Sequence, residues 1–169
     1  AELTVIDSTI SNNVATVEGG AIICLENCRT IMRNTRLENN HASSGGGALS
    51  LKLDSFAHVD NLICANNSVT GKFGSGGCGH VHDSVLEIVN SRVFANAAKN
   101  GDGGALSNYH GNISLDNTTM ADNFARNRGG GVFAPGISTA PVASIACANA
   151  YGGATETAMY CSFTPIGRA

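Results

Sequence analysis

The sequence contains no tryptophan, aromatic residues make up only 5% of it, and its three prolines all lie beyond residue 134. Large aromatic anchors are therefore scarce. Charge is scarce too: 14% of residues are Asp, Glu, Lys or Arg, and the net charge is −3. Such a chain has no basic field to gather phosphate backbones, so nucleic acid is not an expected partner. No apolar run approaches the ~18 residues of a membrane span, and no charged-then-apolar leader opens the sequence. Because the first residue is Ala1, a mature product or a fragment is expected. No segment sustains the 3.6-residue apolar period of a long amphipathic helix.

What the sequence has is glycine, 21 residues of it, and asparagine in short turn-like clusters. Both recur on a fixed period. The second glycine of each Gly-Gly pair falls at Gly20, Gly47, Gly77, Gly104 and Gly131, with spacings of 27, 30, 27 and 27. Asparagines at Asn12, Asn39, Asn66, Asn96, Asn123 and Asn149 follow with spacings of 27, 27, 30, 27 and 26. Both series place one three-residue insertion between Asn66 and Gly77. Short β-rich runs such as "LTVID", "LEIVN" and "GALSL", joined at Asn, Ser and Gly corners, make each repeat one turn of a coil. The predicted fold is all-β, a parallel β-helix of five to six coils with a 27-residue period. Residues 1–134 form the repeats, and residues 135–169 a degenerate last coil and cap.

Stacking explains the composition. In a coil stack each side chain lies about 4.8 Å from its equivalent, so residues that tolerate a copy of themselves are favoured. An asparagine amide donates to one neighbour and accepts from the other, and asparagine tolerates left-handed backbone. Asn12, Asn39, Asn66, Asn96, Asn123 and Asn149 are therefore expected to form an amide ladder. The glycines are expected to supply positive φ or close backbone approach. After them, Ile22, Leu49, Leu106 and Phe133 are expected to face inward, leaving Ile23, Ser50, His80 and Ser107 outside.

With the repeat laid out, "EGGAI", "GGGAL" and "DGGAL", together with the degenerate "ISNN", "LENN", "CANN", "FANA" and "MADN", resemble the GGA[ILV] and FxxN repeats of the polymorphic outer-membrane protein (Pmp) family. The resemblance implies a right-handed, pectin-lyase-like β-helix. It also implies a surface-exposed or secreted passenger used in adhesion or in building an extracellular layer.

Six cysteines in a low-charge chain favour an oxidising compartment. Cys64 and Cys147 share a predicted column three coils apart, about 14 Å by strand spacing, too far to bridge. The favoured pairs are Cys24 with Cys28, Cys64 with Cys78 and Cys147 with Cys161, among fifteen connectivities that sequence leaves open. Sequons occur at Asn66, Asn112 and Asn117. A glycan on Asn66 would pull a ladder corner apart, which makes Asn112 and Asn117 the better acceptors.

For chemistry, "CGHVHD" is the strongest cluster. Cys78, His80 and His82 alternate toward one side with Asp83 beside them, a weak metal or catalytic candidate against a structural reading. His110 sits at another offset. Asp54, Asp60, Asp83, Asp102, Asp116 and Asp122 form no doublet suited to glycoside chemistry. No cofactor is expected. The segments between Asn and Gly-Gly vary most, and the longest, around Lys72 and Phe73, is the predicted partner-binding loop. The sequence thus reads as an extracellular or cell-surface module with a structural or adhesive role and no catalysis, contributing to a surface layer or filament by self-association. Its expected partners are copies of itself, other extracellular structural proteins or glycans. The alternatives are a carbohydrate-active enzyme (polysaccharide lyase or hydrolase) or a glycan-binding module of the same fold.

Overall fold

A computed structural model describes residues 1–135 and, beyond them, the strand residues 145–147 and 150–151. The chain winds as a parallel β-solenoid of about five turns, with no helix among the described residues. Three sheets line it. A nine-stranded sheet holds the long strands Arg29–Glu38 and Phe56–Ala65 and their shorter equivalents on the other coils. A five-stranded sheet stacks Ile22–Leu25, Leu49–Lys52, Gly79–His82, Leu106–Tyr109 and Val132–Phe133. A six-stranded sheet of two-residue strands runs from Val14–Ala15 through His41–Ala42, Ser68–Val69, Ala97–Ala98 and Phe124–Ala125 to Ala150–Tyr151.

Alternation decides what is inside. Along Phe56–Ala65, Ala57, Val59, Leu62 and Cys64 are buried while His58 and Asp60 are not. Vertical neighbours share a fate: Met32 lies over Val59 and Val59 over Ile88, all buried. The strand bends at Asn34 and Asn61, whose φ values of 50° and 54° turn the chain without breaking the ladder.

The register departs from a uniform 27. Eleven positions separate Ser68 from Gly79, against eight between His41 and Leu49, so the expected three-residue insertion is there. The following corner is one residue shorter: Gly79 to Val85 spans six positions where Leu49 to Phe56 spans seven. Val85 therefore pairs with Phe56, an offset of 29, and the columns expected after residue 90 shift by one.

The shift corrects several assignments. Asn96 is stacked with Asn67, not Asn66, and the inner ladder is Asn13, Asn40, Asn67, Asn96 and Asn123. Each Nδ2 donates to the next Oδ1 at 3.0, 3.1, 3.0 and 3.0 Å, and each backbone N–H donates to the same oxygen. Asn12, Asn39 and Asn66 do stack in succession, at φ 60°, 55° and 57°, but as an exposed corner continued by Ala95 and Asp122. Their side chains lie outside the ladder because a left-handed residue at the corner turns outward and leaves the next residue to point in. Asn149 lies outside the described residues.

Gly131 sits over Ala105, and Gly130 takes the place expected for it. Val132 pairs with Leu106, and Phe133 pairs with Ser107, outside the core. Cys64 belongs to the column Ile10, Leu37, Cys64, Val93, Met120 and Ala146, whereas Cys147 stacks with Ala121, so the two cysteines do not share a column.

The two glycines of each pair do different jobs. The first, Gly19, Gly46, Gly76 and Gly103, holds φ between 58° and 74°. The second has no room: a Cβ on Gly47 would lie 2.1 Å from the Gly77 carbonyl oxygen of the next coil.

Candidate functional site

A rigid prism offers its surroundings only outer faces, corners and loops. The predicted loop carries the most exposed large hydrophobic side chain among the described residues. Between Ser68–Val69 and Gly79–His82 the insertion leaves Phe73 81% exposed, with the Lys72 ammonium 5.4 Å from its ring centroid. The loop base is tied down. Gly71 N–H donates to Ser43 O at 2.6 Å, Ser75 N–H to Ser44 O at 2.8 Å, and the Cys64–Cys78 disulfide closes the loop across the core.

The second place is the outer face of the five-stranded sheet. His80 and His82 project there, as expected, but Cys78 does not. It is 2% exposed and bonded to Cys64, because the residue before the strand points inward. His80 Nδ1 and Ser107 Oγ are 2.8 Å apart, with the imidazole over Gly45, where a Cβ would crowd it at 3.1 Å. Burial pushes the His80 imidazole down to about 4, against the opposing pull of the nearby Glu18 carboxylate. His80 is therefore neutral at pH 7. Glu18 is itself held by Ser50 Oγ and Lys52 Nζ, both at 3.2 Å.

A serine hydrogen-bonded to a neutral histidine invites a nucleophile reading, but Ser107 is 0% exposed and no substrate carbonyl could reach its Oγ. His80 is better described as a lid over a polar column. His82 Nε2 lies 3.6 Å from Asp83, and the His110 ring is 6.2 Å from that of His82, so the fold brings in a histidine whose sequence offset had set it apart. Among the described residues no three His, Cys, Asp or Glu side chains converge to hold a metal.

Below this face the structure adds a cluster that sequence reading missed. Asp102, buried, accepts two hydrogen bonds from the Arg128 guanidinium at 3.1 and 2.8 Å, which raises Arg128 above its ordinary value. Arg128 also caps the Phe133 ring at 4.3 Å, and Tyr109 packs on Phe133. No residue type announces it: Phe133 turns outward because Ala125 to Val132 spans seven positions where Ala98 to Leu106 spans eight. Asp60 accepts from Asn90 Nδ2 at 2.9 Å, and the remaining aspartates are dispersed.

The sequons are re-ranked by the register. Asn66 is exposed and outside the inner ladder, so the reason for setting it aside fails. Asn117, one of the two expected acceptors, belongs to a second, outer ladder in which Asn34 donates to Asp7, Asn61 to Asn34 and Asn117 to Asn90 at 2.8, 2.9 and 2.8 Å. Asn112 is exposed at a strand start. Disulfides join Cys24 to Cys28 and Cys64 to Cys78 as expected, whereas Cys161 lies outside the described residues and with it the third expected pair. At the corner of the first bridge lies a cleft of about 320 Å³ lined by Asn27, Cys28, Arg29, Asp54 and Phe56.

No curated protein and no solved structure matches the chain. Residues 7–24, one passage from an Asn corner through a Gly-Gly pair into the five-stranded sheet, match the model of the Chlamydia polymorphic membrane protein repeat.

Proposed function

We propose that this protein is a surface-displayed β-solenoid scaffold that engages a partner protein through the Lys72–Phe73 loop. Its rigidity comes from two amide ladders and two disulfides, and its chemistry is that of contact, not turnover. The similarity of residues 7–24 to a polymorphic membrane protein repeat supports an extracellular or cell-surface location. One observation carries the contact site: Phe73, 81% exposed, stands on a loop whose base is fixed by the Cys64–Cys78 bridge. A preorganised aromatic spends little entropy on binding, and such anchors dominate interface energetics.

The test is capture of surface components by the native chain and by Phe73→Ser. A partner that binds the native chain and loses at least about tenfold in affinity to the variant supports the site, as expected for a hot-spot aromatic. A partner held equally by both overturns it. Self-association is favoured by one observation. The first coil leaves Leu3, Ile6, Val14, Val17, Ile23 and Leu25 between 39% and 75% exposed, apolar area that a stacked coil would cover. Sedimentation across a concentration series reads this directly, and an unchanged monomer profile at high concentration refutes it.

A further inference from the structure

The two disulfides differ in a way that the scaffold role does not explain. Cys64 and Cys78 are 0% and 2% exposed, inside the core. Cys24 is also 0% exposed, but Cys28 is only partly buried and lines the corner cleft. Of the four sulfurs in the described bridges, Cys28 Sγ alone belongs to a residue that is not buried.

Nor does the corner need the bridge. One coil further on, Leu51 stands in register with Cys24, and Ser55 stands beside Cys28, its Oγ accepting from the Cys28 N–H at 3.3 Å. Both corners turn through two consecutive left-handed residues: Glu26 and Asn27 at 56° and 54°, Leu53 and Asp54 at 57° and 58°. The second corner reaches this geometry without a covalent bridge, held by hydrogen bonds that include Ser55 Oγ to Lys52 O at 2.7 Å. A Cys pair placed where Leu and Ser suffice calls for a chemical reason.

The surroundings supply one. Thr30 Oγ1, on a buried residue, donates to Cys24 Sγ at 3.3 Å, so a thiolate forming on Cys24 would find a donor already aimed at it. Beside the partly buried Cys28 the cleft is lined by Arg29, Asp54 and Asn27, none of them hydrogen-bonded through its side chain among the described residues, with the Arg29 guanidinium over the Phe56 ring. A cation, an anion and an amide around a sulfur match a zwitterionic ligand bearing a thiol.

We propose that the Cys24–Cys28 disulfide is a thiol-exchange site for small amino-acid-derived thiols such as cysteine or glutathione. The thiolate attacks Cys28 Sγ from the cleft, a new S–S bond forms between ligand and Cys28, and the Cys24–Cys28 bond breaks. The electron pair of the broken bond leaves on Cys24 Sγ, which is stabilised by the Thr30 hydroxyl. Arg29 holds the ligand carboxylate and Asp54 its ammonium group. Re-attack by Cys24 expels the thiol and restores the bridge, so the step is reversible and consumes no oxidant.

The experiment incubates the native chain with reduced glutathione at mildly alkaline pH, traps free thiols with iodoacetamide and maps the peptides. Expected are glutathione on Cys28, the alkyl label on Cys24 and an intact Cys64–Cys78 bridge. Arg29→Gln should slow adduct formation with glutathione severalfold while leaving the rate with uncharged 2-mercaptoethanol unchanged. Thr30→Val should slow both thiols. The double variant Cys24→Leu, Cys28→Ser, copying the next corner, should fold and retain Phe73-dependent binding. Glutathione on Cys24, opening of Cys64–Cys78 at the same rate, equal slowing of both thiols by Arg29→Gln, or failure of the double variant to fold would each overturn the proposal.

Discussion

Replacing Asn67 with alanine tests the stacking register at its most exposed assumption. Asn67 Oδ1 is the acceptor for both the backbone N–H and the side-chain amide of Asn40, at 2.9 and 3.1 Å. Its own Nδ2 donates to Leu37 O at 2.8 Å and to Asn96 Oδ1 at 3.0 Å. Truncation removes these four bonds and the weaker one from Nδ2 to Cys64 Sγ at 3.3 Å, and it strands the Asn40 N–H, a donor on a residue 1% exposed. A stranded buried donor costs about 1–3 kcal/mol and each of the three other lost nitrogen–oxygen bonds roughly 1, so the total comes to about 4–6 kcal/mol. Asn66→Ala is the control. Asn66 is exposed, and its equivalent on the next coil is already alanine, Ala95, at φ 55° against 57° for Asn66. Left-handed backbone costs an alanine about 1 kcal/mol, and little more should be lost. Guanidinium unfolding followed by circular dichroism, with both variants and the parent measured together, reads the difference as a shift in midpoint. If Asn66→Ala destabilises as much as Asn67→Ala, the ladder assignment is wrong, and with it the register beyond the insertion.

Other expectations follow from the same geometry. Gly47→Ala should cost at least about 4 kcal/mol, because its Cβ meets carbonyl and amide backbone of neighbouring strands at 2.1 and 2.7 Å; Gly79→Ala, whose Cβ meets only the tip of Leu106 at 2.9 Å, should cost about 1 kcal/mol or less by the same unfolding assay. His80 binds its proton about 2.5 pH units later in the folded chain than at its ordinary 6.5, so between pH 6.5 and about 4 the unfolded state carries the extra proton. Stability should therefore fall as pH drops through that window, by up to about 3 kcal/mol, and level off below it; His80→Gln should flatten the slope, and an NMR titration placing His80 near 6.5 would refute the burial argument. Arg128→Ala should strip Asp102 of its bidentate partner and leave a buried carboxylate short of donors, lowering the unfolding midpoint more than Arg126→Ala, which removes an exposed side chain with no side-chain hydrogen bond or ion pair among the described residues.

The repeat was legible because stacking imposes it on composition. Every coil needs a left-handed glycine, a glycine with no room for a Cβ, and an inward amide, and those demands recur at the interval of one turn whatever the rest of the coil does. Pairing of Cys24 with Cys28 and of Cys64 with Cys78 could be favoured from their spacing, and the insertion with its outward Phe73 appeared as a break in the period. Which of two adjacent asparagines points inward could not be read, since "NN" offers both and only the corner φ of the first decides. The columns beyond residue 90 slipped for a related reason: the corner after His82 is one residue shorter, which no residue type announces, and a single residue reverses inside and outside along a strand. That slip moved Asn117 onto the outer ladder, and a second shortening, seven positions from Ala125 to Val132 against eight from Ala98 to Leu106, sent Phe133 out to Arg128 and Tyr109. The sequence by itself determined the coil, its period and the chemistry of its corners, because these are requirements of each turn taken alone. Tertiary structure decided facing, accessibility and neighbours, including which cysteine meets solvent, because those depend on how one turn is set over the next.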